Sequence, residues 1–527
     1  MPHTGQRLRY LRGGLRASRC WQNVPGRWGC VRVIEAFRLA NFKAFKDTGE
    51  IRLKPLTVLA GSNSSGKSSL LQSLLLLKQT LETSPTEDVP LNLSGRFLQF
   101  STLSEVAFRK PPATQTEIGY EFIIGSRMPS TMLSRYFPQA SVKGPAHVVP
   151  VTTDISLRFR QRRIAAEEDA SPRIQILLDR FSMTSSYGEM VGPSLSFRYS
   201  PTGRKQLVRM GGPGVRLPAG FQRRQITGVT TSAFIPDGLI LESREEEGEP
   251  LAPRVRLDTA FTTPLRILER SLTSFTYYLG PLREEPHRAY LHSGTQSPEI
   301  GAKGEYAAQI LWLERDEDVI YKPSWDSRSR RIPLIRAVND AFKRLGVEHS
   351  MDVRSWQSLM YQIVSGIKGG KEVTIADVGF GVSQLLPILV LALRAPTKSL
   401  LLFEQPEIHL HPRVQANLAD FFLGAAKLNA GAIIVETHSD HFINRLRRRV
   451  AEDETDELRQ LVSILFVKAG TASSGSHLEP LAIDSYGAIE NWPPDFLPEG
   501  AQEAEAILRA ALRKRGLTAS HDAVRHD

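Results

Sequence analysis

The chain has 527 residues, of which 41% are hydrophobic and 23% charged, a composition ordinary for a soluble protein of several globular domains. No apolar run approaches the roughly 18 residues that a membrane-spanning helix needs, because the longest, LLPILVLAL, covers only residues 385–393. The composition therefore excludes a transmembrane protein, and we expect no membrane partner.

The net charge of +11 is concentrated in residues 1–30, which hold six arginines and no acidic residue. Two interpretations fit this arm, a basic tail that contacts DNA and a disordered leader. The second is favoured because the first strand pattern starts only at Val31. Both cysteines, Cys20 and Cys30, also lie here at a spacing that is no zinc motif, so we expect a protein of the reducing cytoplasm.

The most informative segment is GSNSSGKS, which follows the apolar run LTVLAG and precedes an apolar helical run. Strand, glycine-rich loop and helix in this order predict a P-loop, in which backbone N–H groups surround phosphates at the positive end of the helix. Lys67 would reach the terminal phosphates, and the Ser68 hydroxyl would join a magnesium shell. The absence of an N-K-x-D motif argues against a GTPase. The predicted nucleotide-binding residues are Gly61, Ser62, Asn63, Ser64, Ser65, Gly66, Lys67, Ser68 and Ser69.

Residues 110–270 mix short β-like pieces with turn-rich polar stretches. This pattern favours a β-rich insertion, and the lack of a sustained heptad argues against a long coiled coil. A nuclease hidden here would need clustered carboxylates, which the segment does not show. The next stretch, GPLREEPHRAY, places Arg283 and Arg288 on a loop, where they either contact phosphate or DNA or form surface ion pairs.

A second glycine-rich turn, ADVGFGVSQ, enters an apolar helix after the insertion. Gly379, Gly381 and Ser383 would offer backbone and hydroxyl donors at the helix N-terminus, which is an anion site. The alternative is a plain helix start that binds no phosphate.

The stretch LLLFEQPEIHLHP reads as a buried strand that carries Glu404 at its end, followed by a helix near Pro412. A carboxylate in this place is suited to hold Mg²⁺ beside a P-loop. His409 and His411 either form a metal pair or start the helix, and we favour the helix start because residues two apart do not share a helix face.

A third motif, AIIVETHSDH, predicts another buried parallel strand with Glu436 and His438 at its exit. Buried strands alternating with amphipathic helices indicate a doubly wound α/β sheet, whose ligands bind at the carboxyl ends of the strands. The RLRRR stretch at residues 445–449 is either a contact to a phosphate backbone or a solvated helix face.

The order of these motifs resembles that of ATP-binding-cassette (ABC)-type ATPases, in the branch that contains SMC, RecF and OLD-type (overcoming lysogenization defect) proteins. The chain is most similar in motif to bacterial AAA family ATPases with a short C-terminal domain of unknown function. The resemblance covers roughly residues 33–495 and is carried by RLANFKAFKDTGEIRLKPLTVLAGSNSSGKSSLLQSLLLLKQ, YYLGPLREEPHRAYLHSG, DVGFGVSQLLPIL, EQPEIHLHP, ETHSDHFINRLRRR and IDSYGAIENWPPDF.

The resemblance implies an ABC-ATPase-like P-loop core of mixed, mainly parallel sheet flanked by helices, with a β-rich insertion. It also implies that two chains enclose two ATP molecules, each P-loop being closed by the partner's signature. Carried onto this chain, Lys67 and Ser68 are Walker A residues, Glu404 is the Walker B acid and His438 is the switch histidine that senses the γ-phosphate. Gly379 stands where the signature often has serine, so a side-chain contact to phosphate is not expected there. Gln99 is a candidate for the glutamine loop.

Gln405 stands where the acid that activates water is usually found. A glutamine cannot accept a proton from water, so we expect slow hydrolysis of ATP with Mg²⁺, with Glu407 or Glu436 as substitute carboxylates. The alternative is a nucleotide-gated binding module with negligible hydrolysis. Residues 439–527 are too few for the nuclease domain of OLD-type proteins, so DNA and a separate effector such as a nuclease are candidate partners. By analogy, the expected setting is phage defence or DNA repair.

These motifs divide the chain into six expected parts. They are a basic leader at 1–30, the first half of the ATPase core at 31–110, the β-rich insertion at 111–270, a return segment with a helical lobe at 271–372, the second half of the core at 373–470, and a small C-terminal domain with a helical tail at 471–527.

Overall fold

The computed structural model describes residues 33–83, 89–108, 116–140, 148–164, 173–200, 206–216, 226–241, 254–291, 299–356, 360–366, 370–429, 431–489 and 491–492. The expected leader at 1–30 and most of the expected helical tail lie outside the described residues. In the described part of the chain, no helix is long and apolar enough to cross a membrane.

The first part of the chain contains the strand, loop and helix of the P-loop segment. Its elements are β1 (Ile34–Phe42), β2 (Phe45–Asp47), β3 (Ile51–Arg52), β4 (Leu56–Ala60), α1 (Lys67–Glu82) and α2 (Leu103–Val106).

The next part is rich in strands, as expected for the insertion. Its elements are β5 (Glu117–Pro129), α3 (Ser130–Tyr136), β6 (Val148–Ile164), β7 (Arg173–Tyr187), β8 (Met190–Tyr199), β9 (Gln206–Gly211), β10 (Ile226–Ser232), β11 (Ile235–Leu241), β12 (Arg254–Arg256) and α4 (Thr259–Leu272).

The third part returns to the core and adds a lobe of helices and short strands. Its elements are β13 (Thr276–Leu279), β14 (Tyr290–Leu291), α5 (Ala307–Glu314), β15 (Asp318–Tyr321), β16 (Arg330–Pro333), α6 (Leu334–Leu345), β17 (Ser350–Trp356), β18 (Met360–Gly366), β19 (Val373–Thr374) and α7 (Phe380–Arg394).

The last part alternates strands and helices. Its elements are β20 (Leu400–Glu404), α8 (Pro412–Leu428), β21 (Ala432–Glu436), α9 (Asp440–Glu452), α10 (Glu457–Leu461), β22 (Val462–Lys468) and β23 (His477–Leu481).

The core sheet has the strand order β13-β20-β21-β4-β22-β23, and all pairs are parallel except β22 with β23. Strand β21 thus lies between the P-loop strand β4 and the strand β20 that carries Glu404. All five residues of β20 are buried, because apolar side chains cover both faces of the sheet. Leu400 and Leu402 join one apolar cluster, whereas Leu401 and Phe403 join the other. The predicted mainly parallel α/β core is therefore confirmed.

An antiparallel sheet of order β2-β1-β5-β6-β7-β8-β9 packs beside this core, and β3 pairs with β1. Its inward side chains alternate with outward polar ones, so Phe122, Phe159 and Phe181 are buried in the same apolar cluster as Leu70 and Leu74 of α1. Strands of the predicted insertion thus extend the sheet that β1 begins, and the β-rich character of the insertion is confirmed. The longest helix among the described residues, α8, has 17 residues.

Candidate functional site: a phosphate loop facing three buried glutamates

The P-loop segment, residues 61–69, joins β4 to α1 through backbone that only glycine adopts easily. Gly61 has a φ of 143° and Gly66, which precedes α1, has a φ of 107°. A Cβ atom on Gly61 would stand 2.4 Å from the carbonyl oxygen of Val467, and one on Gly66 would stand 2.6 Å from the Cβ of Ala44. The loop is therefore pressed against β22 and against the turn after β1, which leaves no room for a side chain at either glycine.

Lys67 is 3% exposed and its ammonium group folds back into the loop. Its Nζ donates to the carbonyl oxygens of Gly61 at 3.0 Å and Ser62 at 2.6 Å. Burial lowers the pKa of Lys67, while the charges of Glu436 and Glu407 partly restore it. The lysine is thus held in position as a fixed cation at the mouth of the loop.

Two glutamates lie side by side at the carboxyl edge of the core sheet, because Glu404 of β20 is in register with Glu436 of β21. The Ser68 hydroxyl donates to Oε1 of Glu436 at 2.9 Å. Oε1 of Glu404 instead accepts from the Tyr278 hydroxyl at 3.1 Å. The structure therefore brings the P-loop serine into direct contact with Glu436, whereas the sequence suggested Glu404 as its partner in a magnesium site.

Glu404, Glu407 and Glu436 are all buried, and burial raises the pKa of each. The pKa of Glu404 rises to about 8, first through burial and then through the neighbouring charge of Glu436. Oε2 of Glu407 and Oε2 of Glu436 are buried without a hydrogen-bond partner in the described residues. The unpartnered oxygen of Glu436, beside the Ser68 hydroxyl, is the kind of donor that Mg²⁺ prefers when phosphates supply its other ligands.

No group of three or more histidine, cysteine, aspartate or glutamate side chains able to hold a metal ion by itself occurs in the described ranges. A magnesium ion that arrives with nucleotide uses one or two carboxylates plus phosphate oxygens and water. The residues that fit the ion are Ser68, Glu436 and Glu404.

Gln405 occupies a strained turn directly after β20, with a φ of 44°. Its backbone N–H donates to the carbonyl oxygen of Glu436 at 2.8 Å. Oε1 of Glu407 accepts from the backbone N–H of His438 at 2.6 Å, which ties this turn to the exit of β21. Burial and the charge of Lys67 lower the pKa of His438, so its imidazole is neutral near pH 7.

Arg283 lies in an environment that the sequence did not predict. It is 6% exposed and lies behind the Gln405 turn, with Nη2 donating to the carbonyl oxygen of Glu404 at 3.1 Å and Nη1 to that of Gln405 at 3.3 Å. Burial lowers its pKa to about 10, and the charge of Glu407 opposes the shift. Arg283 is therefore a buried cation that holds the backbone of two candidate site residues, and neither a DNA contact nor a surface ion pair describes it.

Tyr278 and Lys43 also reach this site, and sequence reasoning missed both. Tyr278 lies on β13, beside Leu402 of β20. The positive charge of Lys43 favours the ionised form of Glu404 and so lowers its pKa. Lys43 also donates to Oε1 of Gln72 at 2.5 Å. The signal in the sequence was weak, because a tyrosine in a core strand and a lysine in a turn both have ordinary structural explanations.

The predicted signature residues lie at the start of α7, which Gly379 precedes. A Cβ on Gly379 would meet nothing within 4 Å, whereas one on Gly381 would stand 2.9 Å from the carbonyl oxygen of His409. Ser383 is 5% exposed. The signature is therefore packed against the turn that follows Gln405, in a different element from the P-loop.

The structure gives contacts for several residues whose roles the sequence left open. His411 precedes α8 and its Nδ1 accepts from the backbone N–H of Arg413 at 3.2 Å, as expected for a helix start. Arg288 forms an ion pair with Asp377 at 2.6 Å. The RLRRR face pairs with acids of its own lobe, since Arg445 and Arg449 both bind Asp420 and Arg448 binds Glu452. Gln99 is exposed.

Two family models match the chain. One is described as "AAA ATPase domain" and matches residues 33–172, and the other is described as "AAA domain, putative AbiEii toxin, Type IV TA system" and matches residues 279–444. No curated protein matches.

The chain is also similar to solved structures of SMC heads. An SMC head bound to the C-terminal winged-helix domain of ScpA is 12% identical, with a TM-score of 0.39 over 86% of this chain and 98% of that one. An SMC head with an extended coiled coil, bound to the C-terminal domain of ScpA from Pyrococcus furiosus, is 12% identical, with a TM-score of 0.38 over 90% and 99%. The SMC head domain from Thermotoga maritima is 10% identical, with a TM-score of 0.33 over 85% and 99%.

Proposed function

Because the chain carries the P-loop ATPase core that the two AAA-domain models match, we propose that it is an ATP-driven molecular switch that binds ATP with Mg²⁺ and hydrolyses it slowly. The observation that carries the proposal is the Ser68–Glu436 hydrogen bond, which joins the P-loop to the carboxylate edge of the sheet. Lys67, already buried as a cation, neutralises the terminal phosphates.

The remaining side chains position the reactants. A bound Mg²⁺ would supply positive charge that offsets the charge developing during phosphoryl transfer. Glu436 and Glu404 would hold the ion, and Ser68 would complete its protein ligands. The neutral imidazole of His438 offers one N–H donor to the γ-phosphate.

Slow hydrolysis follows from Gln405. Its amide orients water but takes no proton, and general-base help contributes typically about 10²–10⁴-fold. Glu407 does not replace it, because one carboxylate oxygen already accepts from the His438 backbone and its second oxygen is buried. In this proposal the lifetime of bound ATP is the property by which the switch acts on its partner.

The switch acts through dimerisation in this proposal. The signature at the start of α7 lies on a different element from the P-loop, so a second chain would bring its own signature to each bound ATP. Closure would then change the affinity for DNA or for a separate effector protein in the cytoplasm. One matching family description names a type IV TA system, and antiphage defence or DNA repair is the setting that we propose for the switch.

Single-turnover hydrolysis of labelled ATP tests the enzymatic part. Gln405→Glu should raise the rate by about 10–100-fold, Lys67→Ala should abolish binding, and the surface change Glu452→Gln should alter neither. A fast wild type that neither Gln405→Glu nor Glu407→Gln affects would contradict the proposal.

A second candidate function is a nucleotide-gated binding module without useful hydrolysis, and Gln405 is the residue that favours it. The two are separated by the same assay together with light scattering. Dimers that persist indefinitely with ATP, and a rate indistinguishable from that of Lys67→Ala, would establish the binding module.

A further inference from the structure

Three arginines line the outward face of the antiparallel sheet on its last three strands. Arg180 of β7 is directly opposite Arg198 of β8. Arg209 of β9 is opposite Ser196, two residues from Arg198 on the same face. All three side chains are exposed. We call Arg180, Arg198 and Arg209 the arginine ladder.

The arginine ladder differs from several other arginines of this sheet, which have acidic partners. Arg38 pairs with Asp47 and Arg158 with Glu117, whereas none of the three ladder arginines forms an ion pair or side-chain hydrogen bond among the described residues. Like charges directly opposite each other in a sheet are destabilising. The ladder is thus kept at a cost that an anionic ligand would offset.

The surroundings of the ladder fit a phosphate ligand. Outward neighbours on the same strands are hydroxyl side chains, with Ser182 opposite Ser196 and Thr184 opposite Ser194. Arginine, serine and threonine are the side chains that commonly contact phosphate oxygens in nucleic-acid complexes. Glu117 and Glu121 lie on β5, at a distance from the ladder strands, and Asp179 of β7 is buried and ion-paired with Arg160. A polyanion is therefore directed toward the ladder and away from β5.

The spacing favours a linear polyanion. Neighbouring strands are about 4.8 Å apart, so the ladder spans roughly 10 Å across β7, β8 and β9. One strand of duplex DNA carries a phosphate about every 3.4 Å along the helix axis, which brings about three phosphates within reach of three arginines. A membrane surface would need apolar insertion beside the charges, and only the single leucine Leu207 stands opposite Arg198.

We propose that the arginine ladder is a binding surface for the phosphate backbone of duplex DNA. The inference deepens the proposed switch by naming its partner as nucleic acid, and it rests on that proposal for its biological meaning. The contacts are to phosphates alone, so binding is independent of base sequence and strongly dependent on salt.

The test measures fluorescence anisotropy of a labelled 30-base-pair duplex, about three helical turns, over a series of KCl concentrations with ATP present and absent. The triple variant Arg180→Gln/Arg198→Gln/Arg209→Gln should bind at least about tenfold more weakly near 100 mM salt. The slope of log affinity against log salt should fall in magnitude by up to about 3, since each lost phosphate contact removes about 0.9.

A matched control has the same change in net charge. The variant Arg331→Gln/Arg354→Gln/Arg448→Gln removes three surface arginines that pair with acids elsewhere, and it should bind DNA like the wild type. The ladder variant should melt at the same or a higher temperature, because repulsion between its arginines is gone. Both variants should keep the wild-type rate of ATP hydrolysis.

Three results would overturn the inference: a wild type that binds no duplex, a ladder variant with unchanged affinity and salt slope, or a control that loses as much as the ladder variant. Binding to phosphatidylserine vesicles but not to DNA would overturn it as well. Because ATP hydrolysis is measured separately on the same proteins, loss of the DNA surface and failure of the proposed switch give different outcomes.

Discussion

Replacing Arg283 by glutamine should slow ATP hydrolysis far more than it weakens ATP binding. The guanidinium donates to the carbonyl oxygens of Glu404 and Gln405, and a hydrogen bond from a charged group contributes about 1.5–3 kcal/mol. The left-handed backbone of Gln405, with a φ of 44°, costs about 1–2 kcal/mol. The free energy of the Arg283 hydrogen bonds is therefore similar in size to the backbone strain at Gln405. The turn should relax once those hydrogen bonds are lost.

The expected magnitude follows from this displacement. A misplacement of about 1 Å at a reacting group costs about 10²-fold in rate, so single-turnover hydrolysis should fall by about 10–100-fold. The dissociation constant for ATP should change by less than about threefold, because the bonds that hold Lys67 in its loop are untouched. Stopped-flow binding of a fluorescent ATP analogue and quench-flow hydrolysis separate the two quantities.

A control and a double mutant sharpen the experiment. Arg394→Gln removes a partly buried guanidinium that pairs with Glu314 at 2.6 Å, so it should cost stability but no hydrolysis. In a Gln405→Gly background the left-handed turn is no longer strained, and Arg283→Gln should then cost clearly less additional rate. A folded Arg283→Gln protein with wild-type turnover would refute the reasoning.

Three further changes probe the loop, the metal ligands and the sheet. Gly61→Ala should abolish ATP binding, because its Cβ would stand 2.4 Å from a carbonyl oxygen. Gly49→Ala, at another positive φ but with no atom within 4 Å, should cost only about 1 kcal/mol of stability and leave ATP binding intact, and calorimetry of ATP binding compares the two variants. Glu436→Gln should weaken ATP binding about 10–100-fold in Mg²⁺ but little in EDTA, while Glu452→Gln should leave both unchanged, and equal losses with and without Mg²⁺ would contradict the assignment. Burial, followed by nearby carboxylates, raises the pKa of Asp154 to about 6 in the folded protein, so the native state holds this proton more tightly than the unfolded chain and stability falls as pH rises from about 4 to 6. Asp154→Asn should therefore raise the melting temperature at pH 8 but not at pH 4, by an amount equivalent to about 1–2 kcal/mol after allowance for solvent screening, and a pH-independent difference would show that the carboxylate charge is not the cause.

Local motifs predicted the elements that make the site. The apolar run before Gly61 forms β4, the LLLFE run forms β20, and the helix expected near Pro412 begins at that residue. Each of these depends on periodicity and on glycine and proline chemistry within about ten residues, which the chain itself displays. The parallel arrangement followed as well, because continuous apolar strands require cover on both faces.

Contacts between distant segments were harder to infer. The residues around Arg283 in the sequence do not predict its contact with Gln405. The acceptors are backbone carbonyl oxygens, and every residue has one whatever its side chain. The partner of Ser68 depends on strand order. Because β21 lies between β4 and β20, Glu436 at the end of β21 is nearer to the P-loop serine than Glu404 is.

The amino-acid sequence by itself determined that this protein has a P-loop, a buried carboxylate edge and a β-rich segment between the halves of its core, since each is written in local spacing. Only the tertiary structure decided which glutamate faces Ser68, that Arg283 holds the strained Gln405 turn, and that Arg180, Arg198 and Arg209 align on one face. Those outcomes depend on strand order and cross-strand register, which are set by packing among residues far apart in the chain.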